Sequence, residues 1–394
     1  MIVDIIVAFL VAFIATMVVY KRVLYFAIRH KFVDNPNARK LQSRPIPVLG
    51  GVVVFWGLLV SLCVMCFLGL DISDFLKMLV AMIAMICLGI TDDYKGLSPL
   101  FRFIVEIIVV LFIVWVSDYS IENFYGVWGI CSIRPLYAIL LSVLAAVGII
   151  NAINLIDGVD GYSSGFCTMA SILFAIMFYK QGNEIMTFVA VASVGALIPF
   201  FLHNVFGFKS KMFIGDGGTL LMGVIMAIFV MNIFTNNNLG SIKMMLKGVG
   251  LVPFTLAVLS IPVFDTLRVM TMRIVRGRSP FKPDKTHLHH LFIDLGFSHV
   301  GTTFGLLTLD FLIVVAWYVA YKCGLSANVQ LYIVLVFGFL VTFLLYPIVK
   351  LIQKKSPRLT RFLLLLGQMS HLERKGIWSW MRRVLDKGYD ENIR

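Results

Sequence analysis

Charged side chains are scarce in this chain, and their scarcity excludes an ordinary water-soluble domain. Only 14% of its 394 residues are charged, whereas 60% are hydrophobic, and the mean hydropathy is +0.93. Soluble domains contain about 25% charged and about 45–50% apolar residues. We therefore expect a polytopic integral membrane protein with no sizeable domain in water.

Acidic residues are the rarer of the charged residues. The chain has 21 Asp and Glu against 34 Lys and Arg, which gives a formal net charge of +13. In a soluble protein this excess would suggest nucleic acid, but in a membrane protein basic residues accumulate in cytoplasmic loops. We therefore expect the lipid bilayer as a partner and no nucleic acid.

We expect neither a metal-binding or redox-active cysteine motif nor a cleavable signal peptide. Cys63 and Cys66 have CxxC spacing, but they lie inside an apolar run without a second pair or a nearby histidine, so we interpret them as packing residues. Asp4 precedes the first apolar run and Lys21-Arg22 follow it, which reverses the charge order of a signal peptide. We expect this run to remain as a helix with its N-terminus outside.

Long apolar runs predict an all-α bundle of helices that cross the bilayer. A helix needs about 20 apolar residues to cross the hydrocarbon core, and lipid offers no hydrogen-bonding partner to a bare backbone. We predict about eleven spans. They cover residues 2–20, 46–70, 75–91, 101–117, 136–150, 165–180, 185–203, 212–235, 249–270, 303–321 and 329–350. The fifth is short, and we expect it to begin earlier or to continue into the polar segment that follows.

The connections between these spans alternate in charge. Connections 21–45 and 271–302 are rich in Lys and Arg, as is the end of the chain, whereas the even-numbered connections are neutral or acidic. The positive-inside rule therefore predicts the N-terminus outside and the C-terminus in the cytoplasm. We expect residues 1–350 to form a transmembrane domain with cytoplasmic loops, and residues 351–394 to form a basic cytoplasmic tail. That tail is either an interfacial helix held to anionic lipid or an ordinary solvated segment.

The most unusual polar segment follows the fifth apolar run. Its two amides and two carboxylates recur every three residues, at Asn151, Asn154, Asp157 and Asp160. This spacing drifts by about 60° per step on an α-helix, so neighbouring side chains share a face. An acidic, amide-rich patch at a membrane edge favours a hard cation or a phosphate-sugar ligand, although a polar connecting loop is the simpler interpretation.

Two further polar clusters lie at predicted span ends. Asp92 and Asp93 close the third span, where the charges repel and the helix dipole also disfavours them, so a cation would relieve both costs. Gly215-Asp216 opens the eighth span, where glycine N–H groups can approach a phosphate at a helix N-terminus. Taken alone, these clusters are a solvated acidic pair and a glycine-rich turn.

The ninth connection contains three histidines within four residues, His287, His289 and His290. Their spacing differs from the i, i+4 pair of a zinc helix, and basic residues such as Arg276 surround them. We therefore favour hydrogen bonds to phosphate over zinc binding. A zinc site and a surface patch without function are the alternatives.

The first connection carries Lys40 and Arg44 among prolines. They are either phosphate ligands or ordinary basic residues of a cytoplasmic loop.

All five clusters fall on predicted cytoplasmic connections, and this asymmetry favours chemistry at one face of the membrane. The alternative, an ion-coupled transporter, would be expected to place its ionisable groups near mid-membrane.

Taken in their order along the chain, from about Asp34 to His290, the five clusters resemble those of the polyprenyl-phosphate N-acetylhexosamine-1-phosphate transferases. The resemblance implies an all-α membrane bundle with a cytoplasmic cleft, in the bacterial inner membrane. It implies transfer of N-acetylhexosamine-1-phosphate from a UDP-N-acetylhexosamine to undecaprenyl phosphate, with release of UMP and with Mg²⁺ or Mn²⁺ as cofactor. The product would start a lipid-linked cell-surface glycan, such as O-antigen. The Ser-Pro-Phe-x-Pro-Asp run at 279–284 is typical of the N-acetylglucosamine branch, so we expect UDP-GlcNAc as the donor.

The same resemblance implies roles for individual residues. Asn154 and Asp216 would bind the metal, and Asp92, Asp93 and His290 would be catalytic. The substrate-binding residues would be Lys40, Arg44, Asn151, Asp157, Asp160, Phe213, Arg276, His287 and His289. A single displacement and a covalent aspartyl intermediate are both compatible with these residues, and whether the chain forms a homodimer is left open.

Overall fold

The structure, a computed structural model, describes residues 1–35, 44–69, 71, 73–236, 238–279, 286–371 and 376–389. These residues form an all-α protein in which the strands β1 (Val33–Asp34) and β2 (Ile46–Pro47) make one short antiparallel pair. The helices are α1 (Ile2–Arg29), α2 (Gly50–Phe67), α3 (Ser73–Lys95), α4 (Pro99–Ser117), α5 (Pro135–Leu155), α6 (Tyr162–Gln181), α7 (Glu184–Phe206), α8 (Gly215–Phe234), α9 (Leu239–Leu246), α10 (Leu251–Val258), α11 (Ser260–Val275), α12 (Leu288–Asp294), α13 (His299–Lys322), α14 (Ala327–Phe339), α15 (Leu345–Lys355), α16 (Pro357–Met369) and α17 (Gly376–Leu385). A 3₁₀ turn lies at Val127–Gly129, and a π-helical turn at Leu340–Leu344 joins α14 to α15.

The predicted polytopic membrane protein is confirmed by helix length and composition. Among the described residues, 10 helices are long and apolar enough to cross a membrane, and α9 with α10 raises the number to 11 if this bent pair is one span. The two halves of that pair meet at 101°. The fifth span also continues as expected, because α5 runs on to Leu155 and carries Asn151 and Asn154 on its last turns.

The ninth span, predicted as one run over residues 249–270, is divided between two helices. α10 ends at Val258, and α11 begins at Ser260. Pro262 explains the break, because it has no N–H to donate to the carbonyl of Val258 and its ring would clash with that carbonyl. Hydropathy alone gave no sign of this break, since residues on both sides of it are apolar.

The helices divide into two compact units, each with its own core. The first comprises Met1–Asp118, Ser163–Met226 and Glu373–Arg394, and the second comprises Tyr119–Tyr162 and Ala227–Leu372. In the first unit, α1, α2 and α7 pack on one another, α3 packs on α4, and α17 packs on α7. In the second unit, α10 packs on α13 and α14, and α11 packs on α5. The predicted boundary at residue 350 stays a prediction.

Within the first unit, α2 begins directly against the segment that leads into α8. The backbone N–H groups of Gly50 and Gly51 donate to the carbonyls of Phe213 and Ile214 at 2.9 and 2.8 Å. A Cβ atom on Gly51 would lie 2.3 Å from the backbone nitrogen of Gly218. The absence of a side chain at Gly51 therefore sets the distance between α2 and the start of α8.

We predict that Gly51→Ala destabilises the protein, because the new methyl group would meet backbone atoms that cannot rotate away. Overpacking of this kind typically costs about 1–3 kcal/mol of unfolding free energy. The matched control is Gly148→Ala in α5, where a Cβ atom would meet nothing within 4 Å and where alanine favours the helix. Thermal unfolding in detergent should show a lower midpoint for Gly51→Ala only, and equal midpoints would contradict the tight contact.

Candidate active site

The first unit gathers three carboxylates, Asp92, Asp93 and Asp216, which we call the acidic cluster. Asp92 and Asp93 lie in the last turn of α3, and Asp216 lies in the first turn of α8. One guanidinium nitrogen of Arg102 contacts the carboxylates of Asp92 and Asp216, at 2.5 and 3.2 Å. The structure therefore brings together two motifs that are more than a hundred residues apart in the chain.

Arg102 is a member of this site that the sequence did not reveal. It lies in the first turn of α4, just after the turn that begins at Gly96. This turn is fixed by the other oxygen of Asp92, which accepts a 2.6 Å hydrogen bond from the N–H of Leu97. The sequence predicts that a cation would relieve the negative charge of the two carboxylates at the end of α3. The guanidinium of Arg102 lies beside one of them, Asp92. The available signal was a lone arginine in the first turn of an apolar helix.

Asp93 lies against the N-terminus of α8. Its carboxylate is 3.4 Å from the N–H of Gly217, and a Cβ atom on Gly215 would lie 2.6 Å from it. Gly215 has a φ of +69°, in the region that glycine adopts without strain. The positive end of the α8 dipole thus faces the carboxylate of Asp93, which lies at the negative end of α3.

The oxygen donors of the acidic cluster are the type that a hard divalent cation prefers. Among the described residues, no three His, Cys, Asp or Glu side chains are already arranged as a complete metal-binding group. Mg²⁺ does not require such a group, because it is usually held by one or two carboxylates, with water and substrate phosphate completing its shell. The acidic cluster therefore fits a cation whose remaining ligands come from water and a diphosphate.

Two predicted substrate ligands of the first unit are held by neighbouring parts of the chain. Arg44 donates to the carbonyl oxygen of Phe208 at 2.6 Å, and its guanidinium lies 3.7 Å from the centre of the Phe208 ring. Phe213 is half-buried, and its N–H donates to the carbonyl of Pro47 at 2.8 Å. Lys40 lies outside the described residues.

In the second unit, the amide and acidic motif spans the end of α5 and the turn after it. Asn151 and Asn154 are on the helix, in line with a fifth span that continues into this segment, whereas Asp157 and Asp160 are in the turn. Asp160 contacts Nδ1 of His299 at 2.9 Å, and its carbonyl accepts a 2.8 Å hydrogen bond from Thr303. The N-terminus of α13 therefore fixes the position of Asp160, and this contact was not visible in the sequence.

The second unit also contains a group of polar side chains, which we call the histidine cluster: the buried Asp265, Arg268, His287 and His289, and the half-buried His290. The carboxylate of Asp265 accepts hydrogen bonds from Nδ1 of His287 at 2.9 Å and from Arg268 at 2.7 Å. Because Nδ1 of His287 faces a carboxylate, it carries the hydrogen, and Nε2 is left for another partner. Asp265 and Arg268 were missed because they lie inside the predicted ninth span.

His289 differs from the phosphate-binding cation that its motif suggested. Its ring is parallel to that of His287, with centroids 5.7 Å apart, and lies 4.2 Å from that of His290. A Cβ atom on Gly158 would lie 2.3 Å from its Nε2. Burial, together with the neighbouring histidines, lowers the pKa of His289 to about 3. It is therefore a neutral imidazole at neutral pH, able to donate one hydrogen bond but not to supply charge.

The roles of the remaining site residues stay predictions from the sequence. Arg276 is exposed at the C-terminus of α11, and residues 280–285 of the same connection lie outside the described part of the chain. Asn154 and Asp216, predicted to bind one metal ion, belong to different units.

The fold is that of a polytopic membrane protein, and its first unit holds three carboxylates beside an arginine. Residues 75–234 match the family model described as glycosyl transferase family 4. The undecaprenyl-phosphate alpha-N-acetylglucosaminyl 1-phosphate transferase of Pasteurella multocida is 33% identical over 308 residues, which cover 75% of this chain and 80% of that protein. Proteins of the same name from Haemophilus influenzae and Escherichia coli K12 are 29% and 26% identical, over 67% and 68% of this chain and 72% and 70% of their own lengths. The chain belongs to glycosyl transferase family 4.

Proposed function

We propose that this protein transfers N-acetylglucosamine-1-phosphate from UDP-GlcNAc to undecaprenyl phosphate and releases UMP. The observation that carries the proposal is the acidic cluster bridged by Arg102 at the N-terminus of α8. The names of the relatives support the same acceptor and the same sugar phosphate. None of these names supports the transporter that we considered as the alternative.

The reaction replaces one phosphoanhydride bond by another. An oxygen of the lipid phosphate attacks the sugar-bearing β-phosphorus of UDP-GlcNAc, and a new P–O bond forms. The bond from this phosphorus to the bridging oxygen breaks, and UMP leaves with the electron pair. Both reactants are anions, so positive charge and hydrogen-bond donors at the phosphates are the main requirement.

The chain offers these groups in both units. Arg102 is the fixed positive charge of the acidic cluster, and it contacts both Asp92 and Asp216. Asp92 or Asp93 would orient the lipid phosphate or accept its proton, and these carboxylates are compatible with a direct displacement and with a covalent aspartyl intermediate. His290 would donate a hydrogen bond to the diphosphate, and His287, whose Nδ1–H is held by Asp265, would offer Nε2 as an acceptor to a hydroxyl of the sugar nucleotide.

A divalent cation, Mg²⁺ or Mn²⁺, would be held by Asp216 and, as the motif predicts, by Asn154. When bound, it offsets the negative charge of the diphosphate. Asn151, Asp157, Asp160 and Phe213 would bind the nucleotide.

We further propose that the reaction takes place at the cytoplasmic face of the bacterial inner membrane, with the N-terminus outside. The basic connections support this orientation. The lipid product would begin a cell-surface glycan such as O-antigen.

A panel of donors tests this proposal. The purified protein, in liposomes with undecaprenyl phosphate and Mg²⁺, is given UDP-GlcNAc, UDP-GalNAc or UDP-glucose. We expect UMP release with UDP-GlcNAc, less with UDP-GalNAc and none with UDP-glucose, which lacks the N-acetyl group. Release from UDP-GalNAc alone would overturn the choice of sugar, and release from none of the three would overturn the proposed reaction.

A further inference from the structure

The end of the chain packs on the loop that leads into α8. This loop, residues 207–214, is here called the pre-α8 loop, and it connects α7 to Gly215-Asp216. Both the loop and α17 belong to the first unit. Trp378 of α17 is buried, with its ring 4.3 Å from that of Phe206 at the end of α7.

Asp386, the residue after α17, makes the central contact. Its carboxylate accepts hydrogen bonds from the N–H of Phe208 at 3.1 Å, from the N–H of Ser210 at 3.0 Å and from the Ser210 hydroxyl at 2.8 Å. Loop N–H groups that would otherwise need water are thus satisfied by one carboxylate, and bonds of this charged type are stronger than neutral ones.

The position of Asp386 is unfavourable without these donors. It lies at the C-terminal end of α17, where the helix dipole disfavours a negative charge. Burial by itself would raise the pKa of Asp386, but the hydrogen bonds from the loop lower it below the ordinary value. The carboxylate and the loop therefore stabilise each other.

Other contacts hold the middle and the second half of the same loop. The Tyr20 hydroxyl donates to the carbonyl of Ser210 at 2.9 Å, and the Asn204 amide donates to that of Met212 at 2.8 Å. Phe213 then bonds to Pro47, as described above. With Asp386 removed, the first half of the loop would lose its bonds to α17, while the second half would stay fixed.

A second link joins the tail to a predicted substrate ligand. The guanidinium groups of Arg44 and Arg382 lie 3.7 and 5.6 Å from the centre of the Phe208 ring. The ammonium of Lys21 donates to the carbonyl of Gly388 at 2.5 Å, which fixes the chain beyond Asp386 to α1. The tail is thus attached on both sides of its contact with the loop.

We propose that Asp386 is a positioning residue of the transferase, which holds the first half of the pre-α8 loop and, through Phe208, sets Arg44 for the sugar nucleotide. This role rests on the proposed function. It assigns to the C-terminal tail a part in donor binding rather than only in membrane attachment.

The test compares Asp386→Ala and Asp386→Asn with Arg383→Gln, a change to an exposed residue of the same helix. Hydrogen exchange in the full-length protein should be at least about tenfold faster at the Phe208 and Ser210 amides in Asp386→Ala. The KM for UDP-GlcNAc should rise about tenfold with a smaller change in kcat, because the loop is displaced while the reacting groups are intact. Asp386→Asn, which keeps one acceptor oxygen, should fall between wild type and Asp386→Ala, and Arg383→Gln should match wild type.

Each outcome separates the positioning role from the proposed reaction. Unchanged exchange at Phe208 and Ser210 in Asp386→Ala would overturn the contact itself. Faster exchange with an unchanged KM would overturn the positioning role and leave the reaction in place. If the wild type releases no UMP from any donor, the proposed reaction fails and Asp386 has no donor site to position, whereas the exchange result still decides whether it holds the loop.

Discussion

Replacing Asp216 by asparagine is expected to reduce metal-dependent UMP release by at least about 10²–10³-fold, the usual cost of losing one well-placed electrostatic group. The amide keeps the size of the side chain but removes the negative charge that would hold the cation. It also removes the ion pair with Arg102, which joins α8 to α4. The concentration of Mn²⁺ that gives half-maximal rate should therefore rise.

The control for this substitution is Asp294→Asn. Asp294 is an exposed carboxylate whose partner is Lys350 at 3.0 Å, so its loss should leave the rate unchanged. Both variants should insert and purify like the wild type. A wild-type rate and metal dependence in Asp216→Asn would remove Asp216 from the metal site.

Replacing Arg102 by glutamine should also lower the rate, by about 10²-fold, but with the opposite effect on the metal. The positive charge that faces Asp92 and Asp216 is lost, so the phosphates lose one stabilising group. The two carboxylates then lack a counter-ion, and this favours binding of another cation. The half-maximal Mn²⁺ concentration should fall, whereas Asp216→Asn should raise it.

Two further variants complete the experiment on Arg102. Arg102→Lys should recover part of the rate, because it keeps the charge but not the planar, forked donor geometry. Arg134→Gln, at an exposed arginine before α5, should behave like the wild type. If Arg102→Gln needs more metal than the wild type, Arg102 does not neutralise the acidic cluster as the structure indicates.

Much of the architecture could be predicted because the membrane restricts it. Apolar length predicted the spans, and the polar segments at their ends predicted where α3 ends and where α8 begins. The continuation of α5 to Leu155 followed from the shortness of its apolar run. The break at Leu259 could not be read from hydropathy, because it depends on the missing N–H of Pro262 rather than on polarity.

The partners of the site residues were harder to predict than the residues themselves. Arg102 is close to Asp92 in sequence, but its contact with Asp216 depends on how α4 and α8 pack. Asp265 pairs with His287 across a connection that sequence reading treated as a loop after a span. The contact of Asp386 with Ser210 joins residues 176 apart, and no local pattern indicates such a pairing. Side-chain chemistry identified the candidates, and tertiary packing selected their partners.

The most direct test of the proposed transfer of N-acetylglucosamine-1-phosphate follows the β-phosphorus of the donor. UDP-GlcNAc labelled at that atom is incubated with the purified protein, undecaprenyl phosphate and Mg²⁺, and the lipid and aqueous fractions are separated. We expect the label to appear in the lipid in proportion to the UMP released, and only when undecaprenyl phosphate is present. Release of labelled UDP with transfer of the sugar alone would contradict this expectation, because the phosphate would then have stayed with the nucleotide.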